Sequence, residues 1–241
     1  MPGLYSSLEA PRFDHDIHLS WPHLSLPNPW ADAGQADDPT AEARFLFTFS
    51  GACSHPLRRV LFDAFAATPG RHKVREIEIK KWYDHSAAEQ VEYVADIVGS
   101  KFVLCPRGIA AYSHRILETI ALGRVPVVIA DGWQPFSIPE QGYCLRVEEK
   151  DVGQLKRILE DAESGYPELR ARARRVYLKY YTPQTRYAVA LRQLIVLHRR
   201  CAGRVDKAFL LERWKSRSFW KNNGWCLHQR VARKLRKLVL A

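Results

Sequence analysis

The chain has no run of 18 apolar residues and no cleavable leader pattern at its start. Those absences leave neither a membrane-spanning helix nor a secretory signal to be read, so the expected location is cytoplasmic. Cysteine is sparse and scattered: Cys53, Cys105, Cys144, Cys201 and Cys226 are odd in number and no two form a CxxC pair. That spacing argues against a zinc site and reads as five reduced thiols. Acidic residues are nearly missing from 199–241, where thirteen Lys and Arg face only Asp206 and Glu212. That excess equals the net charge of +11 carried by all 241 residues, so the remainder of the chain is neutral. Such a charge implies an anionic partner: a nucleotide, phospholipid headgroups, an acidic glycan or nucleic acid.

What is present is ample for folding. Hydrophobic residues make up 46% and charged residues an ordinary 26%. The length allows one large or two small domains. The most informative stretch is SKFVLCPRGIAAYSHRILETIALGRVPVVIADGWQPF, residues 100–136. Phe102 to Cys105 is an apolar run that suits a buried strand, and Pro106-Arg107-Gly108 breaks it. Ser113 is the expected N-cap of the next helix, with Ile116, Leu117, Ile120 and Ala121 at helical spacing and Gly123 at the C-terminal cap. Val125 to Ala130 is rich in β-branched residues, as in a strand buried on both faces, and Asp131-Gly132 ends it. Strand, helix and strand predict a right-handed βαβ unit. Ligands of open α/β sheets sit at the carboxyl ends of the strands. The loops there carry Arg107, Gly108, Ser113, His114, Arg115 and Asp131. Arg115 in the first turn of a helix opposes the helix dipole, a conflict that an anion in the loop would remove. Glu118, one turn on, could accept two hydroxyl hydrogen bonds, as from a ribose.

This segment resembles the exostosin-type glycosyltransferases of family 47. Their donor-half pattern is matched by Ser100, Lys101, Phe102, Leu104, Pro106 and Gly108, then Ser113, Arg115 and Glu118, then Gly123, Pro126, Val127 and Asp131, and lastly Pro135 and Phe136. Thr119 stands where Ala is usual, and His114 at a variable position. The resemblance implies an α/β fold: a Rossmann-like parallel sheet with helices on both faces, one half of a GT-B enzyme, followed by C-terminal helices. It implies an inverting, metal-independent transfer of a sugar from a nucleotide sugar to a glycan or lipid-linked acceptor. Arg115, with Arg58 or Arg59, would neutralise the diphosphate, and Glu118 would hold the ribose; the structural alternatives are a surface salt bridge and a solvated helix residue. Asp131 either joins the site or caps a turn. Arg107, Gly108 and Ser113 belong to the same donor loop. The resemblance begins near Asp16 and covers roughly 185 residues. The half that holds the acceptor in typical members is therefore expected to be absent from this chain. The catalytic base is left unplaced, and a partner chain could supply that half. The alternative is a non-catalytic nucleotide-binding or membrane-surface interaction module.

The flanking regions fit three parts. Residues 1–44 are punctuated by Pro11, Pro22, Pro27, Pro29 and Pro39 and read as an extended lead-in. Asp14, His15, Asp16 and His18 can be read as metal ligands or, preferred here, as a solvated turn entering a strand. Residues 45–198 form the nucleotide-sugar-binding domain. Within it, 44–50 is a strand, and the helix from Pro56 turns Leu57, Val60, Leu61 and Phe65 inward. Residues 74–79 alternate as a half-exposed strand, ending at Lys80-Lys81-Trp82-Tyr83. The helix over 86–98 opens on a Ser86–Glu89 capping box and is expected to bury Val91, Val94, Ala95 and Val98. A short strand over 143–147 and helices over 152–161, 167–181 and 184–198 complete the domain, the last with Tyr187, Leu191, Leu194, Ile195 and His198. Residues 199–241 form a basic tail with Trp214, Phe219, Trp220 and Trp225 interleaved. That pattern suits an anionic membrane surface, a solvated face docked by its aromatics or, less well, nucleic acid.

Overall fold

The computed structural model describes residues 2–23, 43–77 and 85–202, together with 208, 212 and 215. Two short strands near the start, β1 (Gly3–Tyr5) and β2 (His18–Ser20), pair in parallel. The central sheet has five parallel strands: β3 (Phe45–Gly51), β4 (His72–Glu76), β5 (Ser100–Pro106), β6 (Val125–Ile129) and β7 (Leu145–Val147). Their spatial order is β4-β3-β5-β6-β7. The six α-helices among the described residues are α1 (Pro56–Phe65), α2 (Ala87–Val98), α3 (Arg115–Ala121), α4 (Leu155–Asp161), α5 (Tyr166–Tyr180) and α6 (Arg186–Cys201). This is the expected Rossmann-like arrangement.

Alternation along the strands builds two cores. Phe102 and Leu104 of β5 face one side with Phe47, Phe49, Val127 and Ile129, and α1 and α4 cover them through Leu57, Leu61, Phe62, Leu155 and Leu159. Cys105 and Val128 face the other side, under α3 and α5 through Ile116, Ile120, Ala173, Val176 and Tyr177. Ile97 of α2 meets Val103 and Leu122 on that same side. The amino-terminal segment joins this second core: Trp21 packs against Tyr181, and Ser20 N–H donates to Ser137 Oγ at 2.8 Å. Residues 2–23 are thus bound to the domain rather than merely leading into it.

Several expectations need correction in detail. The strand expected over 74–79 begins two residues earlier, at His72, and its ladder ends at Glu76. Residues 78–84, including Lys80 to Tyr83, lie outside the described residues, as does the tail beyond 202 except for the exposed Ala208, Glu212 and Lys215. In α1, Phe62 is buried where Val60 was expected, and Val60 is half exposed. In α2 the Ser86–Glu89 capping box is present, yet Val91 and Ala95 face solvent and Asp96 and Ile97 are buried. Val94 and Val98 pack against the core as expected, so the inward face is turned partway round to include Ile97 and the buried carboxylate of Asp96, described below. The apolar residues Tyr187, Leu191, Leu194 and Ile195 of α6 also face outward, and Leu197 and Cys201 face in.

The turn from α3 into β6 shows why glycine stands there. Gly123 has φ of 65°, and the Arg124 N–H returns to the Thr119 carbonyl at 2.9 Å, closing the helix in a left-handed cap. Three guanidinium groups cover the exposed carbonyls. The wholly buried Arg124 donates to the Val98 carbonyl at 2.9 and 2.6 Å, Arg170 to that of Gly123 at 3.0 Å, and Arg174 to that of Ala121 at 2.5 Å. The basic side of α5 is therefore used to cap its neighbours, where a cation suits a helix C-terminus.

Candidate functional site

The strand order places a topological switch point between β3 and β5, because the chain turns one way to reach β4 and the other way to reach β5. A crevice at the carboxyl ends of those two strands is where a doubly wound sheet takes a ligand. It is bounded by the loop after Gly51 and the loop from Arg107 to His114.

Arg58 stitches the two loops together. Its Nε donates to the Arg107 carbonyl at 2.9 Å, Nη2 to Pro106 at 3.2 Å and Nη1 to Ala52 at 3.0 Å. Burial, then the neighbouring Arg115, lower its pKa to about 10, which still leaves it charged near neutrality. Arg59 points away, pairing with Glu76 at 2.7 Å and Asp63 at 3.9 Å. Of the adjacent pair, then, Arg58 is the one at the crevice. A Cβ at Gly108 would meet Ser54 Oγ at 3.0 Å and Arg58 Nη2 at 3.1 Å, so this loop approaches as closely as it does only with glycine. The next residue, Ile109, is 79% exposed at the loop tip.

Arg115 and Glu118 lie beneath this crevice, in the groove between α2 and α3. The Arg115 guanidinium turns back under β3 and donates to the Ser50 carbonyl at 2.5 Å. It lies over Phe49 at 4.9 Å and over Tyr93 at 5.7 Å. Burial works against its charge, but the Tyr93 hydroxyl, the Cys105 thiol and Glu118 raise its pKa overall. Glu118 Oε2 accepts from the Tyr93 hydroxyl at 2.5 Å. Behind Ser50 lies a second polar group. Ser50 Oγ donates to Asp96 Oδ2 at 3.1 Å, and Asp96 pairs with Lys73 at 2.6 Å and Arg75 at 2.9 Å. The two cations also meet Glu92, at 3.3 and 2.9 Å.

Further along the carboxyl edge, Arg107 reaches Glu9 at 3.0 Å and Glu149 at 3.6 Å. Asp131 and Glu149 exchange hydrogen bonds: Glu149 N–H donates to Asp131 Oδ1 at 2.9 Å, and Asp131 N–H to Glu149 Oε1 at 3.1 Å. Glu9 is held over this edge by the Ala10 N–H on the Gly132 carbonyl at 2.9 Å. His114 is partly exposed and touches the rings of His23 and Tyr112, each at 5.2 Å. Partial burial, then His23, lower its pKa below the usual imidazole value.

Ser113 is not the N-cap: His114 takes that position in helical conformation, and the Ser113 carbonyl accepts the Ile116 N–H at 3.1 Å. No side chain caps this helix, and its first backbone bonds run from the Ile116 N–H to the Ser113 carbonyl and from the Leu117 N–H to the His114 carbonyl, both at 3.1 Å. Asp14, His15, Asp16 and His18 form a turn, with Asp14 Oδ1 accepting the Asp16 N–H at 3.0 Å and His18 Nδ1 the Asp14 N–H at 2.9 Å. Among the described residues no three His, Cys, Asp or Glu side chains are grouped to hold a metal. The structure thus gathers Arg58, Gly108, Arg115 and Glu118 about the switch point. Arg107 and Asp131 lie at the neighbouring strand ends, and Arg59 lies outside. Tyr93, Ser50 and Asp96 escaped the sequence reading because nothing in a helical or strand period marks a buried polar partner.

This fold is that of a doubly wound α/β protein with Arg58, Arg115 and Glu118 gathered at the switch point. A family model for the exostosin GT47 domain matches residues 5–162, and the chain belongs to that family. Among curated relatives, a probable glucuronoxylan glucuronosyltransferase of Arabidopsis thaliana is 52% identical over 71 residues, 28% of this chain and 15% of that protein. A probable glucuronosyltransferase, GUT1 of Oryza sativa subsp. japonica, is 40% identical over 113 residues, 42% of this chain and 27% of that protein. A probable β-1,4-xylosyltransferase, IRX10L of Arabidopsis thaliana, is 39% identical over 80 residues, 32% of this chain and 18% of that protein. The alignments with these relatives span between 15% and 27% of their length.

Proposed function

We propose that this chain is the donor-binding half of an exostosin-type glycosyltransferase, transferring a sugar from a nucleotide sugar to a glycan or lipid-linked acceptor. The observation that carries the reading is that Arg115 and Glu118, both inside the matched residues 5–162, lie at the β3–β5 switch point. Catalysis of such a transfer needs positive charge where the diphosphate leaves and a fixed grip on the nucleoside. Arg58 and Arg115 supply the charge and Glu118 a carboxylate for ribose hydroxyls. Arg107 and Asp131 border the same edge, and the glycine at 108 lets the loop approach a phosphate closely. The resemblance to inverting members supports a reaction without a metal cofactor; the catalytic base is unplaced, and an acceptor half or a partner chain could supply it. The cationic tail 199–241 suits an anionic membrane surface, and cytoplasmic, peripheral placement goes with it. No helix among the described residues is long and apolar enough to cross a membrane.

A second reading is favoured by one observation: Arg58, Arg115 and Glu118 already have internal partners. It makes the chain a nucleotide-binding module without turnover. Thermal unfolding of the full chain with UDP, GDP and ADP tests both. A ligand at about 100 times its Kd adds about 2.7 kcal/mol. Stabilisation that Glu118→Ala abolishes supports the donor site, and release of free sugar from the matching nucleotide sugar separates transferase from module. No stabilisation by any of the three overturns both readings.

A further inference from the structure

Arg115 and Glu118 lie on one helix, one turn apart, yet both rest on a single side chain from a different helix. The Tyr93 ring of α2 lies under the Arg115 guanidinium at 5.7 Å, and its hydroxyl donates to Glu118 Oε2 at 2.5 Å. Among the described residues no other hydrogen-bond donor to that carboxylate is found. An ionised carboxylate offers about four lone-pair sites on two oxygens. A short, charge-assisted bond to one oxygen fixes the rotation of the group and leaves the other oxygen to accept. A carboxylate whose plane is held meets two vicinal hydroxyls at lower entropic cost than a freely rotating one. Tyr93 is itself held in place: Ile97, one turn along α2, is buried against Val103 and Leu122, and Asp96 anchors α2 to β4. The anchored helix therefore sets the carboxylate's angle.

Resting on the donor-site reading above, we propose that Tyr93 is a positioning residue that orients Glu118 for the vicinal hydroxyls of a ribose, and so makes the site select ribonucleotides over their deoxy counterparts. A purely structural tyrosine would affect all ligands alike. A positioning tyrosine affects only those with the hydroxyls.

The test is calorimetric titration of the full chain with UDP and GDP and with their 2′,3′-dideoxy forms, in the parent protein and in Tyr93→Phe, which removes one oxygen and keeps the ring under Arg115. The parent should prefer the ribose form. Tyr93→Phe should weaken that form about tenfold, equivalent to about 1.4 kcal/mol, and leave the dideoxy form unchanged. Glu118→Gln should show the same selective loss. The double variant should be no worse than Glu118→Gln alone, since the two act through one contact. Tyr93→Phe with an undiminished ribose preference, or with equal losses for both forms, overturns the proposal and leaves the donor site standing. A parent that binds but ignores the hydroxyls does the same. A parent that binds no nucleotide overturns the donor site and this proposal together.

Discussion

Asp96→Asn is the sharpest probe of how the groove beneath the crevice is held. Asp96 is buried, and its carboxylate takes three bonds: from Lys73 at 2.6 Å, Arg75 at 2.9 Å and the Ser50 hydroxyl at 3.1 Å. The amide keeps the shape and removes the charge. A hydrogen bond to a charged group contributes about 1.5–3 kcal/mol, and breaking one partner of a buried pair costs about 3–5 kcal/mol. The full cost is not expected, because Lys73 and Arg75 are 29% and 32% exposed and can fall back on Glu92. The loss should therefore be about 2–3 kcal/mol, measured as a lower urea midpoint at unchanged slope. Glu92→Gln, which removes only the outer and 48% exposed carboxylate, should cost less than about 1 kcal/mol. A loss for Asp96→Asn below about 0.5 kcal/mol, or equal to that of Glu92→Gln, would refute the claim that this buried carboxylate anchors α2 to β4.

Gly123→Ala should destabilise the domain by about 1 kcal/mol, since φ of 65° suits only glycine without strain; an unchanged thermal midpoint would count against the left-handed cap. Glu163 is held by Arg71 and then Lys101, which lower its pKa to about 2. A depressed carboxylate contributes stability above its unfolded pKa and loses it as pH falls through the folded value. After discounting for the exposed Arg71, about 1–2 kcal/mol should disappear between about pH 5 and pH 2, and Glu163→Gln should flatten that part of the stability profile. Burial raises the Cys105 thiol to about 12, so mass spectrometry after native alkylation near pH 8 should find it unmodified until the chain is unfolded.

Local composition is enough for the scaffold. Continuous apolar runs at 102–105 and 125–130 require strands buried on both faces, and their βαβ connection requires a parallel pair; both follow from local composition and a fixed handedness. The spacing of Arg115, Glu118, Gly123 and Asp131 was likewise sufficient to indicate the family, and the Ser86–Glu89 box marked the start of α2. The placement of charge, by contrast, depends on contacts distant in the chain. Whether Arg58 or Arg59 faces the crevice depends on the carbonyls of Ala52, Pro106 and Arg107, up to 49 residues away in sequence. The inward face of α2 includes Val94 and Val98, as the valine spacing indicates, but it also takes in Asp96, which pairs with Lys73 and Arg75 of the neighbouring strand, and leaves Val91 outside. Tyr93 likewise meets Glu118 across 25 residues. Apolar burial is non-directional and leaves a period in the chain; a buried ion or hydroxyl is satisfied only by a partner at one distance and angle, and that partner is chosen by the fold.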